Sequence, residues 1–204
     1  MKMVITGGTG FLGSPLAWTW AEDGHDVRVL TRSLAPGQAQ HESGTGKPGI
    51  TRVGWEPNGT AGAIARELDG AAAVVNLAGE SIAGRRWTPA RKQALRESRI
   101  LATRSLVAAF AESHNPPVTF ISASGSGYYG NRGTEPLSES ASPGDDFLAH
   151  LCVEWEAEAR RAEAAGRRIV LLRTGLVIEK SGGALGKMIR PYRFFAGEIG
   201  RAHV

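Results

Sequence analysis

The sequence predicts an α/β fold: a doubly wound parallel sheet with helices on both faces. Three observations carry this expectation. Short apolar runs alternate with helical stretches along the chain, the pattern of strand-helix-strand units. The runs are apolar almost throughout, as strands covered on both faces must be. The first run passes directly into a glycine-rich turn that opens a helix. The 204 residues suit one domain.

The elements follow in order. Residues 2–6 (KMVIT) predict a buried strand, and 11–22 the first helix. Residues 27–31 predict the second strand, and 34–49, rich in Gly, Pro, Ser and Gln, predict a loop. A third strand is expected over 50–55, a short helix over 61–68 and a fourth strand over 73–78. Thr88 and Pro89 give a capping hydroxyl followed by proline at the first helical position, so a long helix starts there and runs to about His114, before Pro116 and Pro117. A fifth strand is expected over 118–122 and a polar loop over 123–144. Leu148, Leu151, Cys152, Trp155, Ala159 and Ala162 mark one face of the next helix. A sixth strand (168–173) and a helix over 185–195 complete the reading.

Composition narrows the functional classes. Hydrophobic residues make up 42% and charged residues 22%, enough for a packed core. No apolar stretch approaches the roughly 20 residues of a membrane span, and the N-terminus lacks a signal-peptide layout, so a cytoplasmic location is expected. The single Cys152 excludes an internal disulfide and a multi-cysteine metal site, and no metal is expected. Net charge is +4, but residues 1–84 carry 6 basic and 8 acidic side chains against 18 and 12 over 85–204. The densest basic stretch is Arg85, Arg86, Arg91, Lys92, Arg96, Arg99 and Arg104, with Glu97 the one acid. No aromatic interleaving or nucleic-acid motif accompanies it, so a solvated helix face with a few anion-binding arginines is favoured over a nucleic-acid surface.

Ligands of such sheets bind at the carboxyl ends of the strands, near the point where strand order reverses. After the first strand stand Gly7, Gly8, Thr9, Gly10, Phe11, Leu12 and Gly13. Gly8, Gly10 and Gly13 satisfy GxGxxG, and Gly7, Gly10 and Gly13 satisfy GxxGxxG. Glycine serves a tight turn, close approach of the backbone to a pyrophosphate, and tight helix–strand packing, while the helix N-terminus attracts the anion. The position of this motif in the first strand-helix turn predicts a Rossmann-like dinucleotide site. A kinase-type phosphate loop is excluded because no Lys-Ser or Lys-Thr follows the last glycine. An S-adenosylmethionine site remains a weaker alternative; it wants an acid after the second strand. Thr31, Arg32 and Ser33 stand there instead. A guanidinium fork suits a 2′-phosphate, so NADP(H) is favoured over NAD(H), with the two hydroxyls adding contacts.

With these motifs in place, VITGGTGFLG, NLAGESIAGRRWTPARK, SASGSGYYG and DFLAHLCVEWE together resemble an atypical subgroup of the short-chain dehydrogenase/reductase superfamily. The chain is similar to YfcH-type members of the NAD-dependent epimerase/dehydratase family. The resemblance implies backbone contacts from Leu77, Ala78 and Gly79 to the cofactor, with Asn76 either beside the adenosine or capping the sheet end. It also implies a Ser or Thr after the fifth strand, then Tyr-x-x-x-Lys on the next helix. Ser124 is the candidate serine. The helix positions that would carry Tyr and Lys hold Leu148 and Cys152, in keeping with a subgroup that lacks the standard set. Tyr128 and Tyr129, in the glycine-lined loop, are candidates to replace them, one presenting a phenol and the other packing. Cys152, on the apolar helix face, reads as a packing residue rather than a reactive thiol.

Residues 79–87 (GESIAGRRW) form a second loop of interest. Glu80 and Arg85 are the candidate substrate residues there, Arg85 for an anionic group and Glu80 as a base; the alternative is a surface loop anchored by Trp87. The expected function is an NADP-dependent oxidoreductase or epimerase acting on a small polar substrate, with nucleotide sugars among the candidates. The alternative is a non-catalytic NADP-binding sensor. Extended members of the superfamily carry a C-terminal lobe over the substrate. The resemblance therefore implies that residues 1–198 are the cofactor domain without that lobe, and 199–204, which read as translated sequencing-adapter sequence, are expected to be a non-native tail.

Overall fold

In the computed structural model the described residues are 1–43, 49–83, 86–179, 185 and 189. The chain runs β1 (Lys2–Thr6), α1 (Gly13–Glu22), β2 (Asp26–Thr31), β3 (Ala39–Glu42), β4 (Ile50–Gly54), α2 (Ala65–Leu68), β5 (Ala71–Asn76), α3 (Pro89–Glu112), β6 (Thr119–Gly125), α4 (Phe147–Arg160), β7 (Arg168–Thr174) and β8 (Ile178–Glu179). Single 3₁₀ turns occupy Gly62–Ile64, Ser126–Tyr129 and Arg161–Ala165. Seven strands form one sheet in the order β3-β4-β2-β1-β5-β6-β7. Every pairing is parallel except β3 with β4. From β1 the chain first builds to one side, through β2, then crosses back to lay β5 on the other. The reversal leaves a crevice over the carboxyl end of β1.

Consecutive strand residues serve opposite layers, which is why the strands read as unbroken apolar runs. Val4 packs in the cluster with Leu106, Ala109 and Phe110 of α3, and Phe120 of β6. Its neighbour Ile5 packs with Ala17 and Ala21 of α1 on the far face. Phe110 and Phe120 meet edge to face, ring centroids 5.0 Å apart.

The long helix begins as its sequence signal demands: the Thr88 side chain accepts the Arg91 backbone N–H at 3.2 Å, and Pro89 stands in the first turn. Asp146 caps α4 by accepting from Ala149 N at 2.8 Å.

Several boundaries differ from expectation. Helix α1 starts at Gly13 rather than at residue 11, because residues 7–12 are consumed by the turn. The stretch 34–49 contains β3, an antiparallel edge strand. Its AQHE sequence is mostly exposed and has no apolar alternation, so pattern reading had nothing to detect. Strand β5 sits two residues earlier than expected, leaving Leu77 and Ala78 past its end. Strand β6 continues to Gly125, since β7 pairs with it as far as Thr174. Ser124 therefore stands on the strand rather than in the loop. The short β8 had no counterpart in the prediction. The helix expected over 185–195 and the tail 199–204 lie outside the described residues, Leu185 and Ile189 apart.

Candidate active site

The glycine turn is held by contact as well as by conformation. Gly7 has φ +69°, and a Cβ there would come within 2.5 Å of the Leu77 carbonyl oxygen. A Cβ on Gly13 would strike the Gly7 carbonyl, and one on Gly8 would lie 2.7 Å from a Val29 methyl. The first strand, second strand, first helix and the segment after β5 all close on this turn. Gly10 N donates to Gly7 O at 2.9 Å and Ser14 N to Gly10 O at 3.0 Å, so the turn feeds straight into α1. No side chain caps that helix, and its N-terminal end is positioned to face an anion.

A cleft of about 740 Å³ runs beside the turn, lined by Gly7, Thr9, Gly10, Thr31, Arg32 and Ser33 on one side and Leu77, Ala78, Gly79 and Glu80 on the other. Of the residues expected at the cofactor, Phe11, Leu12 and Gly13 do not line it. Phe11 and Leu12 are exposed at the mouth of α1, and Gly13 is packed behind the turn. Arg52, Trp55, Pro57 and Ser98 also line the cleft. These were missed because they come from β4, the loop after it and α3, and no motif links them in sequence. The Thr31 and Ser33 hydroxyls are 2.8 Å apart and Ser33 N donates to Thr31 Oγ1 at 3.2 Å, which fixes the bend that presents Arg32. Arg32 itself is 70% exposed.

Asn76 is fully buried and turned away from the cleft. Its Oδ1 accepts from Thr6 Oγ1 at 2.7 Å and Ala78 N at 3.3 Å, and its Nδ2 donates to Thr103 Oγ1 at 2.9 Å. It ties the ends of β1 and β5 to α3, which is the capping role.

Glu80 lies at the Arg32 end. Its carboxylate takes a 3.0 Å hydrogen bond from Arg91 and stands 3.9 Å from Arg32. Arg99, whose guanidinium is pushed downward by burial, reaches under the same loop and donates to Glu80 O at 2.9 Å. Gly79 leans on that guanidinium, at 3.1 Å from a would-be Cβ. Trp87 anchors the loop by donating to Ile82 O at 2.9 Å and meeting Phe147 edge to face. Arg85 lies outside the described residues. The basic stretch is largely spoken for: Arg91 pairs with Glu80, Arg96 with Glu154, and Arg104 with Glu158.

A second constellation occupies the carboxyl ends of β6 and β7. Ser124 is buried and donates to Glu156 Oε1 at 2.6 Å. Glu156, on α4 and 5% exposed, is gripped bidentately by Arg173 of β7, Nε to Oε1 and Nη2 to Oε2, both 2.8 Å. Burial alone would raise this carboxyl, but the hydrogen bonds from Arg173 and Ser124 outweigh it and hold it below the usual range. Its partner guanidinium is shifted upward, mainly by the bond to Glu156. Arg173 Nη1 also donates to Tyr129 Oη at 2.9 Å and to Glu139 O at 2.8 Å. Its guanidinium carbon lies 3.5 Å above the Tyr128 ring centroid. The structure thus brings Ser124, Tyr128 and Tyr129 together around two residues that sequence reading passed over. The available signals were an acid one turn beyond Cys152 on the apolar face of α4, and an arginine ending an otherwise apolar strand.

Cys152 closes the network from α4, its thiol 3.8 Å from Gly125 O and pushed up chiefly by burial. Among the described residues no cluster of His, Cys, Asp or Glu could hold a metal ion, and no helix is long and apolar enough to cross a membrane.

Comparison with known proteins agrees with this architecture. The chain is 34% identical over its full length to the epimerase family protein SDR39U1 of Bos taurus, covering 64% of that protein. The crystal structure of human SDR39U1 (isoform 2) with NADPH superposes with a TM-score of 0.75 at 31% identity, over 97% of this chain and 61% of that one. A nucleoside-diphosphate sugar epimerase from Corynebacterium glutamicum gives a TM-score of 0.76 at 35% identity, over 98% of this chain and 39% of that one. The chain spans less than two thirds of the length of these relatives. The model of the NAD dependent epimerase/dehydratase family matches residues 3–190, and the chain belongs to that family.

Proposed function

We propose that this chain binds NADP(H) in the cleft beside the glycine turn and serves an oxidoreductase or epimerase that acts on a small polar substrate, nucleotide sugars being the class that the Corynebacterium relative's name suggests. The observation that carries the reading is the pairing, on one cleft, of a turn whose Gly7, Gly8 and Gly13 leave no room for a side chain with a guanidinium fork at the end of β2. The residues present fit a dinucleotide. Gly7, Thr9 and Gly10 with the start of α1 would hold the pyrophosphate, Arg32 with Thr31 and Ser33 the 2′-phosphate, and the backbone of Leu77, Ala78 and Gly79 the ribose side. When bound, a nicotinamide supplies or accepts two electrons as hydride. The NADPH in the human SDR39U1 structure supports the choice of NADP(H).

Fluorescence titration tests it. The chain is expected to bind NADPH, and Arg32→Ala to weaken NADPH roughly 10–100-fold, the worth of a charge-assisted hydrogen bond, while NADH is held as before. Equal losses for both cofactors would contradict the assignment to the 2′-phosphate, and no binding of either would sink the reading altogether. The placement of Leu148 and Cys152 on α4, where neither can exchange a proton in the usual way, favours a second reading: a cofactor-binding sensor. Substrate-dependent oxidation of NADPH separates the two.

A further inference from the structure

Arg173 stands opposite Ser124 in the β6–β7 register, and its three nitrogens are all engaged. The two tyrosines meet it in different ways. Tyr128 lays its ring face against the guanidinium at 3.5 Å, while the Tyr129 ring is 5.1 Å away and offers its oxygen instead. A phenol oxygen that accepts an N–H from a fixed cation keeps its own proton free to give. Once that proton leaves, the cation already faces the negative charge. Glu156 does not compete for this role, because both of its oxygens are taken by Arg173 and one also by Ser124. The Ser124 proton is committed to Glu156, so this hydroxyl has only lone pairs left to offer.

We propose that Tyr129 is the proton donor to the substrate oxygen, that Arg173 is the positioning residue supporting the phenolate it leaves, and that Tyr128 is a stacking partner without a chemical role. The inference rests on the reductive reading above. In that reduction the carbonyl carbon gains the hydride and its oxygen gains the Tyr129 proton. The O–H bond of the phenol breaks, that of the product alcohol forms, and the phenolate takes a proton from water. Arg173 is held for this by Glu156, whose helix packs across the end of the sheet.

Two readouts on the whole chain test the proposal. Tetranitromethane attacks phenolate. Peptide mapping is expected to find Tyr129 nitrated ahead of Tyr128, with the Tyr129 rate falling about tenfold in Arg173→Met and recovering in Arg173→Lys. Glu156→Gln combined with Arg173→Met leaves no unpaired charge, and replaces the single variant should that fail to fold. Faster nitration of Tyr128, or a Tyr129 rate indifferent to Arg173, overturns the pairing. The second readout is NADPH oxidation with phenanthrenequinone, diacetyl and a UDP-linked ketohexose as probes. Tyr129→Phe is expected to lose at least about 100-fold in kcat with NADPH affinity unchanged, and Tyr128→Phe less than about threefold. A Tyr129→Phe enzyme that keeps its rate overturns the donor assignment, as does a wild-type chain that binds NADPH and reduces none of the probes. Absence of NADPH binding instead refutes the cofactor reading, while the nitration result still decides the Tyr129–Arg173 pair.

Discussion

The two ends of the strand-tip surface are built on opposite principles. At the β1–β2 end the site is made of backbone: Gly7, Gly8 and Gly13 pack so closely against their neighbours that no side chain fits. At the β6–β7 end it is made of side chains, with Ser124, Glu156, Arg173 and Tyr129 joined through four hydrogen bonds of 2.6–2.9 Å. Backbone sites tolerate no added atom but need no particular charge. Side-chain sites tolerate small changes of shape but collapse when one charge is removed. The difference sets what each region should suffer on mutation.

The largest effect is expected from Gly7→Ala. The substitution places a Cβ on a residue with φ +69° and 2.5 Å from the Leu77 oxygen. Left-handed backbone and overpacking together cost about 2–5 kcal/mol, to be read from urea unfolding, and cofactor binding should go with it. A loss below about 1 kcal/mol would mean that β5 can yield and that the turn is not a rigid cradle.

At the other end the corresponding change is Glu156→Gln, which leaves Arg173 partly buried without its carboxylate. Breaking such a pair costs about 2–4 kcal/mol here, at the lower part of the usual range because Arg173 keeps 16% of its side chain in water. The effect has a pH signature. Glu156 titrates below its ordinary value of 4.5 in the folded protein, so its contribution is complete above that pH and fades as pH falls through the lowered folded value. Urea unfolding at pH 7 and at successively lower pH should find the gap between wild type and Glu156→Gln widest at pH 7 and shrinking as the solution becomes acid. A gap that does not narrow in acid would show that the carboxylate charge is not what stabilises this corner.

The same contrast explains what could be read in the sequence. A backbone site writes itself locally: four glycines within seven residues, directly after an apolar run, disclose both the turn and the crevice above it. Arg32 was equally legible, since it follows the next strand. The Ser124 network joins residues 17–44 positions apart, on β6, α4, β7 and the 3₁₀ turn after β6, and each looks ordinary alone. Glu156 reads as one more charge on a charged helix, and Arg173 as a strand terminus. Only their meeting makes them a site. β3 was hidden for a different reason. An exposed edge strand buries nothing, so it leaves no hydrophobic period, and its register with β4 is set by pairing rather than by burial.

The smallest effect is expected at Cys152, and it decides how the side-chain end has been assembled. If this thiol belonged to the chemistry, its burial would be a handicap, since desolvation pushes it up and away from the reactive thiolate. Its surroundings instead suit a small, weakly polar group: the residue is 6% exposed, and its sulfur makes a long contact to Gly125 O at 3.8 Å and meets the Ser124 hydroxyl. Cys152→Ala should therefore cost no more than about 1 kcal/mol and leave NADPH affinity unchanged. In the folded wild type the thiol should react with Ellman's reagent far more slowly than in urea. A thiol that labels rapidly in the native chain, or an alanine variant that loses turnover while still binding NADPH, would move Cys152 from the packing of α4 into the chemistry and weaken the assignment to Tyr129.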